Sequence, residues 1–219
     1  MLYPLVSVNT YRMPLDPRSP WRTPEQRAEE REAKREAVLR TAARLFNERG
    51  FSAASLDEVA ARLKVTKPII YRHFANKDQI LFECVRMALG QILEAAAAAK
   101  TGPGKARDRL MALMTRYAVI MTEDFGMCVV RTGDHELSEA SRKEFRKLKR
   151  KIDRLIRSLI QEGVADGSIA RCDVKMTSFA IAGALNWIAK WYSPDGAESA
   201  EEVAGAMVAL LQGLLTRRA

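Results

Sequence analysis

The sequence has little of what metal, redox or covalent chemistry requires. Its 219 residues hold three cysteines and two histidines. Cys84, Cys128 and Cys172 are far apart and odd in number, with no CxxC pair and no histidine cluster beside them. Neither a zinc site nor a disulfide framework is expected. There is no Gly-rich phosphate loop, no HExxH, no acid pair at useful helical spacing and no supported Ser-His-Asp order. A helical enzyme is therefore a weak rival reading, and no cofactor is implied. No run approaches the ~18 apolar residues of a membrane span. The opening MLYPLVSVNTYRMP lacks an early basic residue and a continuous apolar stretch, so it does not read as a secretory signal. A reducing cytoplasm is the expected compartment.

Acid is missing as well between Glu58 and Asp78, where Arg62, Lys64, Lys67, Arg72 and Lys77 fall. One uncancelled sign of charge on a compact helical segment suits a polyanion. The net charge of +9 agrees with that, although it also fits a basic protein with no nucleic-acid partner.

Strand alternation is almost absent, and the pattern predicts an all-α fold of about nine helices. Residues 1–22 carry Pro4, Pro14, Pro17 and Pro20 without any period and read as a disordered arm. The arm is either dispensable, with Met13 as the true start, or a minor-groove arm using Arg12, Arg18 and Arg22. Thr23-Pro24-Glu25-Gln26 opens the first helix as a capping box, and Gly50 closes it. Ser55-Leu56-Asp57-Glu58 is a second box, with Glu58 expected to reach back. A turn at Leu63-Lys64-Val65 leads to a third helix from Thr66, its cap, to Phe74, with Pro68 in the first turn. Asn76-Lys77-Asp78-Gln79 restarts the chain as a fourth helix running to the alanines before Gly102-Pro103-Gly104. Further helices are expected at Arg107 to Met121, Phe125 to Arg131, Ser138 to Ala165, Val174 to Tyr192 and Ser199 to Thr216. The implied division is an arm at 1–22, a DNA-binding domain at 23–80, and a ligand-binding and dimerisation domain at 81–219.

A helix-turn-helix sets the start of its second helix against base edges in the major groove. The candidate readers are Thr66, Lys67, Pro68, Ile69, Tyr71, Arg72 and His73, with Ile70 and Phe74 facing inward. Ser55, Lys64 and Lys77 join them as cap and backbone contacts. Lys77 also lies at a helix N-terminus, where the dipole favours an anion.

These residues resemble the TetR family of bacterial transcription regulators. The likeness runs from about Arg35 to Phe82 and rests on Ala43, Leu45, Phe46, Gly50, Ser55, Val59-Ala60, Val65-Thr66, Tyr71-Arg72-His73-Phe74, Asn76-Lys77-Asp78 and Leu81. It departs at Lys64, where a glycine is usual, and at Pro68, where a small residue is. A side chain in a left-handed turn costs ~1 kcal/mol, which an added phosphate contact from Lys64 can offset. The resemblance implies a homodimer on an inverted-repeat operator in double-stranded DNA, and a repressor released by a small molecule.

Val203, Met207, Leu210, Leu211, Leu214 and Leu215 make a broad apolar face on the last helix. With Ala204, Gly205, Ala206, Ala209 and Gly213, and with Ala180, Ala182, Gly183 and Ala184 on the helix before, they suit a four-helix dimer bundle or, failing that, an internal core. The string Asn186-Trp187 to Lys190-Trp191-Tyr192, then Pro194 and Gly196, is similar to family members that control lipid, steroid and aromatic-acid breakdown. Several of these sense acyl-coenzyme A thioesters. An apolar cavity is expected from Met111, Met114, Tyr117, Ile120, Met121 and Phe125, with Asn186, Trp187, Lys190 and Trp191 at its mouth and Arg131 and His135 near an anion. Nine Lys or Arg at 142–157, against Glu144 and Asp153, are placed to meet phosphates. The alternatives are core packing for the apolar residues and a solvated face for the charges. A rival effector class, hydrophobic cations of the multidrug type, would want buried acids instead. An activator, or a DNA binder without ligand, is a third possibility.

Overall fold

The computed structural model describes residues 23–216. The expected arm, with Arg12, Arg18 and Arg22, lies outside the described residues, as do residues 217–219. The described residues form nine α-helices, α1 Pro24–Arg49, α2 Leu56–Leu63, α3 Lys67–Tyr71, α4 Lys77–Thr101, α5 Ala106–Thr122, α6 Asp124–Arg131, α7 Glu139–Ala165, α8 Val174–Trp191 and α9 Ala200–Gln212, with one 3-10 turn at Asp134–Glu136. There is no strand among them. No described helix is long and apolar enough to cross a membrane.

The chain divides into two compact units at Arg35 and Glu36, within α1. The described part of the first unit is a charged run. Thr23 and Gln26 cap each other reciprocally, the Gln26 N–H donating to Thr23 Oγ1 at 3.1 Å and the Thr23 N–H to Gln26 Oε1 at 2.9 Å. Pairs such as Lys34–Glu30 stand on its helical surface, where each is worth only ~0.3–0.5 kcal/mol.

From Glu36 onward one apolar core is continuous from Val38 to Leu215. Helix starts are fixed by local side-chain caps. Ser55 accepts the N–H of Glu58, Asn76 that of Gln79, Ser138 that of Ser141, Asp173 that of Met176, and Ser199 that of Glu202. Two expected caps are incomplete. Glu58 does not reach back to Ser55, because its carboxylate binds Arg49 at 2.6 Å. Thr66 occupies the cap position of α3 in extended conformation but its hydroxyl makes no cap bond.

Helix α5 is the axis of this unit. It packs on α4, α6, α7, α8 and α9, and Leu110, Leu113, Met114, Ala118, Ile120 and Met121 are buried along it. The chain turns sharply from α5 into α6 through Glu123. A side chain at Gly126 would place its Cβ 1.8 Å from the Ile120 carbonyl oxygen, so only glycine lets α6 close against the end of α5. Helix α9 stops at Gln212 rather than Thr216: Gly213 disfavours continuation, and its N–H turns back to Leu210 and Leu211. The broad apolar face expected on α9 is divided. Val203, Leu211 and Leu215 point into the core, whereas Leu210 (75% exposed) and Leu214 (48%) stand outside with Gly205, Ala206, Ala209 and Gly213.

The loop after α7 caps the start of α5. Asp166 accepts the Ala106 N–H at 3.0 Å and the Ser168 N–H at 2.8 Å, while the Arg107 N–H donates to Ser168 Oγ at 3.1 Å. The Ser168 side chain first, then these two backbone groups, hold the Asp166 carboxyl down at about 2. A carboxyl depressed below its unfolded value of ~3.9 stabilises the fold above that value and loses the contribution as pH falls toward its folded value. Asp166→Asn is expected to melt lower than the parent at pH 7, with the gap narrowing below about pH 4. Circular dichroism melts across that range check it, and a gap independent of pH would assign the effect to packing.

Candidate nucleic-acid interface and effector cavity

Helix α3 is regular for five residues only. The chain then tightens: Arg72 N–H donates to the Pro68 carbonyl at 3.2 Å and His73 N–H to the Ile70 carbonyl at 2.9 Å. The expected helix to Phe74 is cut short because Phe74 turns into the core and the chain must reach the cap at Asn76. Ile70 and Phe74 are buried, as expected. Lys64, in the turn before α3, has φ +55°. The N–H at this left-handed cap closes α2 by bonding to the Ala60 and Ala61 carbonyls.

The outward surface carries Lys64, Thr66, Pro68, Tyr71 and Arg72, all exposed, while Lys67, Ile69, His73 and Lys77 are half-buried. Ser55 is spent as a cap. The positive charge is less free than its sequence run implies. Lys67 Nζ lies 2.8 Å from Asp57, a bond that raises its pKa. Arg62 is paired with Glu48. Lys64 and Arg72 have no ion-pair partner among the described residues. Lys77 folds over the Phe51 ring, 4.3 Å from its centroid, and donates to the Ser52 carbonyl at 3.3 Å. Burial lowers its pKa, so in this conformation it packs rather than projects.

Two polar clamps join this head to the helices beyond. Asp78, in the first turn of α4, accepts the Ser138 N–H (2.7 Å), the Ser138 hydroxyl (2.9 Å) and the Ser141 hydroxyl (2.9 Å) at the start of α7. On α1, Arg44 Nε donates to Asp124 at 2.7 Å, and Asn47 Nδ2 donates to the Asp124 carbonyl at 2.8 Å. Arg131, expected at an anion, instead holds backbone. Its Nε donates to the Ala189 carbonyl at 2.8 Å, and its Nη groups reach the Asn47 and Tyr192 carbonyls at 3.4 Å. His135 is exposed on the 3-10 turn.

A cavity of about 150 Å3 opens between α4, α5, α6, α7 and α8. Leu89, Val129, Ile152 and Ile156 give it apolar walls, and Tyr117 and Asn186 are its uncharged polar members. The Tyr117 hydroxyl donates to Asn186 Oδ1 at 2.9 Å. Burial raises the Tyr117 pKa to about 12 against that hydrogen bond, so the hydroxyl keeps its proton. Phe179 stands at the mouth, half exposed, with Arg157 5.2 Å and Lys175 6.0 Å from its ring centre. Lys149, Asp153 and Ala182 complete the lining. Asp153 is already bonded to Arg157 at 2.8 Å and to the Ser178 hydroxyl at 2.8 Å.

Of the expected ligand set, Tyr117 and Asn186 line this cavity together. Met114, Met121 and Phe125 are buried in the core and do not line it. Trp187 (62% exposed), Lys190 and Trp191 (46%) lie on the outer face of α8, with Met176, Ala180 and Gly183. The lining residues Lys149, Ile152, Asp153 and Ile156 share one face of α7 at i, i+3, i+4 and i+7, a spacing visible in the sequence once the basic stretch is split by face. A separate cleft of about 470 Å3 on α7 is lined by Glu139, Arg142, Lys143, Arg146 and Arg150. Asp134 organises its edge, binding Arg146 at 3.0 Å and Lys149 at 3.3 Å. Burial raises the Asp134 pKa, but these two cations outweigh it and the net shift is downward.

Residues 38–84 match the family model described as bacterial regulatory proteins, tetR family, and residues 103–215 match the tetracyclin repressor-like C-terminal domain. The HTH-type transcriptional repressor KstR2 of Mycolicibacterium smegmatis is 28% identical over 206 residues, covering 89% of this chain and 95% of that protein. The structure of the regulator PfmR from Thermus thermophilus superposes with a TM-score of 0.74 at 31% identity, covering 82% of this chain and 99% of that one. AibR, solved in complex with isovaleryl coenzyme A and operator DNA, gives 0.70 at 27% identity, covering 81% and 97%. The chain belongs to the tetR family of bacterial regulatory proteins.

Proposed function

We propose that the protein is a cytoplasmic, homodimeric repressor of a catabolic operon that leaves its inverted-repeat operator when an acyl-coenzyme A thioester binds. The observation that carries the effector class is the composition of the α5–α8 cavity. Its walls are mostly apolar, its one acid, Asp153, is paired with Arg157, and the surface of α7 around it is cationic. A thioester has the same division, with an acyl end and a highly anionic nucleotide end. AibR, a relative across most of the chain, is named as holding isovaleryl coenzyme A. The rival cation sensor would need a free carboxylate in the cavity, and Asp153 is already neutralised by Arg157.

Residues 23–80 act as the reading head and the chain from 81 onward as sensor and dimerisation domain. Lys64, Thr66, Pro68, Tyr71 and Arg72 meet the DNA directly. Lys67, Ile69, His73 and Ser55 shape the approach, and Lys77 reaches a phosphate only after leaving Phe51. The outer faces of α8 and α9 pair two copies, burying Trp187, Trp191, Leu210 and Leu214. Ligand binding shifts the population toward a conformer whose two heads no longer match successive major grooves. The test is a gel shift on DNA upstream of the gene, titrated with acyl-coenzyme A thioesters, free acids and hydrophobic cations. Release by thioesters is expected; release by cations alone would overturn the effector.

Two variants separate the parts. Lys64→Gly relieves a left-handed side chain, so it is expected to stabilise the fold by ~1 kcal/mol. It should also weaken DNA binding and lower the salt slope by about one counterion. Higher melting with unchanged DNA affinity would exclude Lys64 from the interface. Leu210→Arg places a charge on the outer face of α9. It is expected to give a folded monomer by light scattering, whereas a persistent dimer would move the interface elsewhere.

A further inference from the structure

The cavity is small for the ligand class proposed above. Its volume is about 150 Å3. An apolar cavity of that size in another protein takes a single benzene, roughly six carbons, and drug-sized pockets start at about 300 Å3. The deep walls do not yield readily. Leu89, Ile152 and Ile156 are almost fully buried, and close-packed side chains resist an intruding methylene.

One polar group in the wall remains available. Asn186 takes the Tyr117 proton on Oδ1, which fixes the orientation of the amide. Its Nδ2 has no hydrogen bond among the described residues, and Asn186 lines the cavity. An amide N–H donor beside apolar walls recognises a carbonyl oxygen. The basic cleft of Arg142, Lys143, Arg146 and Arg150 begins on the same helix. Positions 146 and 152 are six residues apart, ~9 Å along the helix axis, so a ligand can enter the cavity at one end and lie along the cations at the other.

We infer that the effector is a short-chain acyl thioester of about four to six carbons, that Leu89, Ile152 and Ile156 set its length limit, and that the Asn186 amide reads the thioester carbonyl. This rests on the thioester reading. The Tyr117 hydroxyl is the positioning group, because it holds Asn186 with its donor toward the ligand. Steroid-sized and long acyl groups are excluded by volume.

The experiment is calorimetric titration of the full-length protein with butyryl-, hexanoyl-, octanoyl- and dodecanoyl-coenzyme A, free coenzyme A, a steroid-acid thioester, and the hexyl thioether, which lacks the carbonyl. The four- and six-carbon thioesters are expected to bind most tightly, with affinity at least about tenfold lower for dodecanoyl. The thioether is expected to bind about three- to tenfold more weakly than hexanoyl-coenzyme A. Asn186→Leu should bring the ratio of thioester to thioether affinity within that variant close to one. Ile156→Val should move the optimum toward octanoyl, and the parent profile decides the length limit even where this variant is unstable. Tightest binding by dodecanoyl or the steroid thioester would overturn the length limit with the thioester reading intact. Equal binding of thioether and thioester would overturn the role of Asn186. Binding of no thioester at any length would defeat the effector class itself, and this inference with it.

Discussion

A helix of five residues has no stability of its own. Isolated helices shorter than ~12 residues are marginal in water, so α3 exists only because Ile70 and Phe74 are buried beneath it. Full burial of two such side chains contributes ~1.5–3 kcal/mol each, and the backbone they order is the surface proposed to meet DNA. The restriction also explains the shape of that surface. With Ile70 and Phe74 pointing inward, Tyr71 and Arg72 must point outward, and the turn at Lys64 must close within three residues. A left-handed Lys64 is the cost of that closure. Loosening the core under α3 would therefore disorder that surface.

That core continues through α4 into the helices around the cavity. The same helix carries Ile80 and Leu81 near the head and Leu89 in the cavity wall. In the proposed mechanism a ligand pressing on Leu89 pushes on a rigid element whose first turn holds Asp78, and Asp78 is bonded to α7. The cavity wall on α7 and the clamp on α7 are thus parts of one helix. In the proposed mechanism the clamp and the cavity compete for its position. The α6 side offers a second link, since Val129 lines the cavity while Asp124 and Arg131 bond to α1.

The parts legible in the sequence are those fixed by neighbours three or four residues away. Thr23, Ser55, Asn76, Ser138 and Ser199 are readable as caps because a cap is an i to i+3 geometry. Gly50 is readable as a left-handed position for the same reason, Lys64 through the resemblance, which usually has glycine there, and the spacing of Ile70 and Phe74 gives them one face without fixing its direction. The parts that are not legible depend on distant partners. Nothing local shows that Glu58 prefers Arg49 to the Ser55 N–H, that Asp57 neutralises Lys67, or that Lys77 lies on Phe51. Arg131 escapes sequence reading because its partners are backbone carbonyls, which leave no side-chain signature. For Met114 and Met121 the difficulty is phase. Helix α5 is surrounded by five helices, so nearly every apolar residue on it is buried, and periodicity cannot say which faces a cavity.

The polar clamps also set a scale for the switch. Useful coupling between an effector and an operator is ~1–3 kcal/mol. A hydrogen bond to a charged group contributes ~1.5–3 kcal/mol, and less where it is exposed. Asp78 makes three such bonds to α7, and Asp124 makes one charged and one backbone bond to α1. In the proposed mechanism, weakening a clamp supplies coupling of this order. The apolar core beneath can stay intact in both conformers, because close-packed side chains would cost more to rearrange than the coupling returns. In the proposed mechanism the switch is then a small rigid shift of α4 against α7 and of α6 against α1, limited by hydrogen bonds at their ends.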